Sequence, residues 1–431
     1  MIWLYRLLFL PLLLLLAPYY LWRMRRRGGY ADNFGHRFGR VDALPARRPG
    51  VPRVWLQAVS VGEVLAVAPL LEALQRDGRT EVYLTTTTST GYRLAREKYA
   101  ALTVGVGYFP LDFWAFSARA WRAVQPDLCI LMEGERWPEH VHQAWRRGVP
   151  VIAINARLSD RSFRRSLRFR GVLRPLARGL TRVLCASKRD EQRFKALGFP
   201  PARLTHTGNL KLDVAIPRLG AAEREQLRRE LGLGPGLVLL GSSTWPGEEV
   251  ALLTALQAAR DRGLAVSLLL VPRHAERRDE LRAWLEKSGR SFHFRTAGAA
   301  PGVVDVAVGD TTGELRKFTQ LADVVFTGKS LAPHDGGQTP VEAAALGKPV
   351  LHGPRMTNFR EIIRTLTEAG AVRRVDTHSD LISAAVELLA DPAQRERLAA
   401  AARAWHEENR GATERTLAVL REELAARGAS R

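Results

Sequence analysis

The chain has 431 residues, 46% of them hydrophobic and 25% charged, with a formal net charge of +21. That length exceeds one ordinary core and predicts two domains. The charge suits an anionic partner, whether nucleic acid, a membrane surface or a phosphorylated substrate. Cys129 and Cys185 stand in apolar runs, which excludes a disulfide framework or a zinc spacing and reads as buried thiols in a reducing compartment.

In chain order, the first element is an apolar leader. Leu7–Trp22 carries no charge, and Ile2–Tyr5 extends the run upstream of Arg6. This approaches the roughly 20 residues needed to cross a bilayer. Tyr19, Tyr20 and Trp22 stand where interfacial aromatics belong, and Arg23, Arg25, Arg26 and Arg27 follow. The positive-inside rule then places the rest of the chain in the cytoplasm. A cleaved signal peptide fits less well, because the basic cluster follows the apolar run. Pro11, Pro18 and Arg6 leave open a helix lying in the interface. The excess charge therefore points to anionic lipid or an anionic lipid substrate. Nucleic acid is not expected, since no basic motif of the usual binding modules is present.

From about residue 50 strands and helices alternate. The runs VWLQAV, EVYLTTTT, LCILME, PVIAIN and RVLCAS form one strand series; LVLLGSS, VSLLLVP, VDVAVGD, VVFTGKS and PVLHGP form a second. Such alternation specifies parallel sheets covered by helices. Asp213–Gly236 reads as the connection between domains, and everything past Thr377 as helix with a break at Pro392. The expected fold is α/β, with two doubly wound domains facing each other across a cleft.

Several strand-to-helix joints carry polar groups. Ser60-Val61-Gly62-Glu63 places a carboxylate in the first turn of a helix, beyond the carboxyl end of a strand, where open α/β sheets bind ligands. Such a carboxylate can take a proton from a hydroxyl. The same residues form a capping box, the commoner reason for the pattern, and both readings stay open. The Thr85–Gly91 run reads as a capping turn. Glu133 directly follows a buried run and so needs a cationic or hydrogen-bonding partner; Asn155–Ser159 and Gly208–Asp213, with Arg157 and Lys211, can supply one.

In the second half Pro272-Arg273 ends a very apolar strand, and Gly309–Glu314 is a glycine-bracketed turn into a helix. Gly328-Lys329-Ser330 opens another loop, which runs to Gly336-Gly337-Gln338-Thr339-Pro340-Val341-Glu342. There Thr339 is expected to cap, with Pro340 first in the helix and Glu342 completing a capping box. Glycines before helix starts suit phosphate, and Arg273 adds a charge-assisted contact. The dinucleotide and Walker fingerprints are missing, as are an Asp-x-Asp pair and any metal-ligand cluster, so neither NAD, ATP nor a metal is expected.

These motifs together resemble the Kdo (3-deoxy-D-manno-octulosonic acid) transferases of lipopolysaccharide synthesis. The resemblance covers nearly the whole chain: the anchor with its arginines, then SVGE, ME-x-E-x-WP, NARLS, G-x-LK-x-D, VPRH, GDT-x-GEL, a glycine-rich loop, GKPVLHGP and NF-x-EI in that order. It implies a GT-B fold of two Rossmann-like domains and an inverting glycosyltransferase moving Kdo from CMP-Kdo to a lipid A precursor of the lipid IVA type at the inner membrane. CMP-Kdo is then a substrate, and no cofactor is implied. By the same resemblance Glu63 is the general base, and Glu133 and Lys211 assist the transition state. The CMP site falls on Pro272, Arg273, Thr312, Gly313, Glu314, Thr339, Pro340, Val341 and Glu342. Two departures stand out: Gln57 replaces the family histidine before SVGE, and Thr339 replaces an asparagine in the glycine-rich loop. A transferase for another nucleotide sugar, or a catalytically impaired membrane-tethered homologue, is the alternative. The expected domains are an anchor (1–27), an acceptor domain (28–215) and a nucleotide-sugar domain with the terminal helices (216–431).

Overall fold

A computed structural model describes residues 2–27, 33–134, 137–168, 179–213 and 216–428. Glu135 and Arg136 of the ME-x-E-x-WP motif, and the side chains of the leader's arginine cluster, lie outside the described residues. The chain forms two compact units, Met1–Asp213 with Asn409–Arg431, and Val214–Glu408.

Each unit is built on a seven-stranded parallel sheet. The first contains β1 (Arg53–Gln57), β2 (Glu81–Thr86), β3 (Gly105–Tyr108), β4 (Leu128–Met132), β5 (Val151–Ala156), β6 (Arg182–Cys185) and β7 (Leu204–His206), in the order β3-β2-β1-β4-β5-β6-β7. The second contains β8 (Leu237–Thr244), β9 (Val266–Pro272), β10 (Phe292–Phe294), β11 (Val306–Val308), β12 (Val324–Thr327), β13 (Val350–His352) and β14 (Val372–Arg374), in the order β10-β11-β9-β8-β12-β13-β14. Central strands such as β4 are buried along their whole length, because helices cover both sheet faces. These are the two parallel-sheet α/β domains that the alternating pattern predicted, of the GT-B type that the resemblance implied.

The strand order reverses once in each sheet, between β1 and β4 in the first and between β8 and β12 in the second. Chains leave these neighbouring strands toward opposite faces, which opens a crevice at their carboxyl ends.

Two expected boundaries move. The expected connection Asp213–Gly236 contains a helix, Ala221–Leu231, whose Leu227 and Leu231 are buried in the second unit. The terminal helix Ala412–Gly428, expected with the second domain, packs on the first unit, where Leu417 and Leu420 join Leu70 and Leu74 in one core. Asp213 explains the return, since its carboxylate accepts the N–H of Gly411 at 2.6 Å and that of Thr413, capping this helix.

Candidate active site

Glu63 lies in the first turn of the helix Val61–Asp77, which leaves the end of β1. The expected capping box is replaced by a contact one residue further back. Glu63 Oε2 accepts the Val59 N–H at 2.8 Å, and Ser60 Oγ lies 3.3 Å from Oε1. Ser60 makes no side-chain cap, because its own carbonyl already accepts the Glu63 N–H at 3.1 Å. The carboxylate is therefore aimed back over the end of β1 by its neighbours, and 8% of the residue stays exposed.

Glu133 follows β4 on the other side of the switch point. Its φ of 55° is left-handed, unusual for a residue with a side chain, and turns the chain sharply off the strand. Its carboxylate meets the cations that its position demanded: Lys211 Nζ donates to Oε1 at 2.7 Å, and Arg157 lies 3.9 Å away. Lys211 is held in turn by two asparagines. Asn155, with φ 49° at an irregularity in the β5–β6 ladder, accepts the Leu210 N–H at 3.1 Å. Asn209 accepts the Lys211 N–H at 3.0 Å. The Leu210–Leu212 turn then packs against the helix that carries Glu63. Glu63, Glu133 and Lys211 thus gather at one end of the first sheet.

In the second unit Pro272 ends β9, and Arg273, whose N–H donates to Thr244 O at 3.2 Å, has an exposed side chain. Thr312 and Gly313 form an exposed turn after β11, and Gly313 takes the left-handed φ of 90° that suits glycine. Glu314 accepts the Thr311 hydroxyl at 2.6 Å and lies 3.5 Å from Arg295, just before the short helix Leu315–Leu321. The second expected helix start is met in part. The regular helix is Val341–Ala345, and Pro340 ahead of it already has helical angles, as expected of a first helical residue. Thr339 accepts the Val341 N–H at 3.3 Å, the expected cap. Glu342 makes no reciprocal cap and instead lies 3.7 Å from Arg316, which ties the two short helices together. Gly337 has to be glycine here, because a Cβ would lie 2.2 Å from Met356 Sδ.

Two buried carboxylates at this sheet end were missed in the sequence. Glu248 accepts backbone N–H groups from Trp245, Lys329, Ser330 and Leu331 at 3.0, 2.9, 3.0 and 3.3 Å, so it locks the loop after β12 onto the end of β8. The Pro246-Gly247 turn ahead of two glutamates was its available signal. Asp310 accepts the Thr296 hydroxyl at 2.6 Å and pairs with Arg278. Burial works against its charge, but Thr296 and Arg278 hold its carboxyl below the ordinary range. Among the described residues no group of three or more His, Cys, Asp or Glu is arranged to hold a metal ion.

Residues 32–214 match the family described as 3-deoxy-D-manno-octulosonic-acid transferase (kdotransferase). The chain is 38% identical over 428 residues to the 3-deoxy-D-manno-octulosonic acid transferase of Bordetella pertussis, covering 95% of this chain and 97% of that protein. The chain belongs to the 3-deoxy-D-manno-octulosonic acid transferase family. A Haemophilus influenzae transferase of the same name is 34% identical, over 96% of this chain and 94% of its own length. The UDP-GlcNAc 2-epimerase of Neisseria meningitidis shares the fold, with a TM-score of 0.57 and 15% identity over 87% of this chain and all (100%) of that one.

The Kdo transferase is thus a glycosyltransferase, and its departures from the family pattern have defined places. Gln57 ends β1 fully buried, donating to Thr87 Oγ1 at 3.1 Å and accepting from Thr85 Oγ1 at 2.9 Å. Both ends of its amide are therefore engaged by threonines, one in β2 and one just beyond it. Lys329, in left-handed conformation with φ 58°, lays its ammonium over the Trp245 ring, 4.7 Å from the centroid.

Proposed function

We propose that this Kdo transferase moves Kdo from CMP-Kdo to the glucosamine disaccharide of a lipid A precursor of the lipid IVA type, with inversion at the anomeric carbon. The observation that carries the reading is the pair Glu63 and Glu133 just beyond the carboxyl ends of the two strands flanking the first sheet's switch point, with Lys211 bonded to Glu133. An acceptor hydroxyl attacks the anomeric carbon and gives its proton to Glu63, while the bond to the CMP phosphate oxygen breaks and its electron pair leaves on CMP. Lys211, steadied by Glu133, faces the anionic donor or the forming bond. The second unit takes the nucleotide through Pro272-Arg273, Thr312–Glu314 and Thr339–Glu342, with Arg273 meeting the charge that develops on CMP.

The leader supports attachment to the inner membrane with the catalytic units on the cytoplasmic side. Ile2–Tyr20 is long and apolar enough to cross a bilayer, and the arginines that follow suit anionic headgroups.

Incubating the purified protein with freshly generated CMP-Kdo and a tetraacylated lipid A precursor is expected to give a product heavier by Kdo, seen by mass spectrometry. Product from a UDP-sugar and none from CMP-Kdo would replace the donor. Transfer is also expected to survive EDTA, since cationic side chains are assigned to the phosphate; loss restored by magnesium would overturn that assignment.

A further inference from the structure

The leader's amino-terminal half is not a loose tether. The Tyr5 hydroxyl donates to the Asp112 carboxylate at 2.7 Å. Arg6 reaches both oxygens of Glu139 at 2.8 and 2.8 Å, a bidentate pair. The Phe9 ring stacks on Phe113, with centroids 6.4 Å apart and planes 18° apart. The partners belong to the core of the first unit: Asp112 and Glu139 are 2% and 0% exposed, and Asp112 also accepts the N–H groups of Glu139 and His140 at the start of the helix Pro138–Arg146.

A bilayer-crossing leader conflicts with these contacts. With Arg23 at the cytoplasmic face, Tyr5 and Arg6 would sit about 26 Å away along the helix axis, close to the far side of the membrane. Asp112 and Glu139, however, belong to the unit that the arginines place in the cytoplasm. Both arrangements cannot hold together.

Exposure along the helix gives the resolution. Ile2, Tyr5, Arg6, Phe9, Leu13 and Ala17 are half-buried and recur at the spacing of one helical face. Other positions are open, among them Trp3 at 74%, Leu7 at 71% and Leu15 at 76%. Two more exposed indoles flank the docked segment. Trp114 follows Phe113, and Trp145 lies on the helix that carries Glu139. Indoles settle at the boundary between headgroups and acyl chains.

We propose that the leader lies in the plane of the membrane interface, clamped to the first unit through Tyr5, Arg6 and Phe9, with its open apolar face in lipid and both ends on the catalytic side. The occupant of that face is the bilayer: the polar groups are satisfied by protein, and the arginine cluster at the helix end meets anionic headgroups. The proposal rests on the membrane attachment above and not on the transfer reaction.

The test places an uncharged hydrophilic tag with a protease site before Met1 in the full chain. Protease is added either to intact spheroplasts or to inverted inner-membrane vesicles. Cleavage confined to inverted vesicles, with the protein in the membrane pellet, is the expected result. Cleavage in intact spheroplasts shows a crossing helix and overturns the proposal. Recovery of the protein in the soluble fraction overturns it too, by removing membrane attachment itself, while leaving the transfer reading to its own assay. As a second measurement, Phe9→Cys with Phe113→Cys is expected to form a disulfide in membranes under mild oxidant, since native Cys129 and Cys185 are buried. Failure to cross-link in a protein that still pellets and transfers Kdo counts against the clamp.

Discussion

Glu63 and Glu248 occupy corresponding places in the two units. Each stands in the first turn of the helix that leaves the switch-point strand, β1 in one sheet and β8 in the other. Their surroundings differ in kind. Glu248 is fully buried and gives its oxygens to four backbone N–H groups, so it closes a loop. Burial outweighs those bonds and holds its carboxyl above the ordinary carboxylate range. Glu63 takes one N–H from Val59, lies near the Ser60 hydroxyl and keeps an accessible edge. One fold position thus carries a loop-closing carboxylate in the second unit and, in the first, the carboxylate proposed as the base. What separates them is burial: Glu248 is enclosed by the loop it closes, whereas Glu63 keeps 8% of its surface exposed.

The sharpest way to break this comparison is Glu63→Gln. The amide can still accept the Val59 N–H but cannot take a proton, so transfer is expected to fall by at least about a hundredfold with the thermal transition unchanged. Turnover above about a tenth of wild type would return Glu63 to a capping role. Glu248→Ala is expected to do the reverse. It strands four amides of the β8 and β12 loops and costs about 3 kcal/mol, since each stranded group carries a penalty of about 1–3 kcal/mol that water partly relieves. Denaturant unfolding checks it. A stable Glu248→Ala protein with lost transfer would mean that the two glutamates have been assigned the wrong way round.

The fold was legible in the sequence where strands are covered on both faces. The ten apolar runs read as strands all lie in the two sheets, and the four strands that were missed, β3, β7, β10 and β14, are the four sheet edges. An edge strand such as Leu204–His206 or Val372–Arg374 is short and partly exposed, so it leaves no continuous apolar run. The candidate site was legible as a set of joints but not as a set of bonds. Burial of the preceding run showed that Glu133 needed a partner, yet only the fold decides that Lys211 comes closest. The terminal helix illustrates the same limit: its composition is helical in either unit, and only the fold shows Asp213 capping it and Leu70 and Leu74 packing on it in the first.

A third first-turn carboxylate, Glu139, extends the comparison, because its cation comes from the leader. Burial would raise its carboxyl, but Arg6 and Gln143 bring it below the ordinary value of 4.5. A depressed carboxyl contributes stability above its unfolded value and loses it as pH falls toward the folded value. Arg6→Gln is therefore expected to destabilise the first unit by about 2 kcal/mol at pH 7, somewhat less than a fully enclosed pair because Arg6 keeps a solvent edge. The deficit should shrink as pH falls toward and below 4.5, because without Arg6 burial lets the variant's folded state take the proton first. Arg6 keeps the wild-type carboxyl charged to lower pH, and the unfolded chain is common to both. Thermal melts of wild type and variant across that range check it, and a deficit independent of pH would mean that Arg6 acts through packing alone. Deleting 1–27 removes the same cation, so a truncated protein is expected to show this loss as well, rather than to behave as a cleanly released catalytic fragment.

The smallest expected effect belongs to Glu133 and Lys211, and it decides whether they act as one device. Their side chains are 25% and 30% exposed, so water weakens the ion pair. A double-mutant cycle with Glu133→Gln and Lys211→Met is expected to give a coupling of about 1 kcal/mol or less in stability. The coupling in transfer should be larger than the coupling in stability. If Glu133 serves by steadying Lys211 against the anionic donor, losing either residue removes the same contribution to turnover, and the second substitution adds little to the first. Independent, multiplicative losses in kcat would show instead that each side chain touches the reacting groups on its own. Arg157, 3.9 Å from the same carboxylate, offers the internal control. Arg157→Met removes a neighbouring cation without removing the hydrogen bond, and is expected to change turnover less than Lys211→Met.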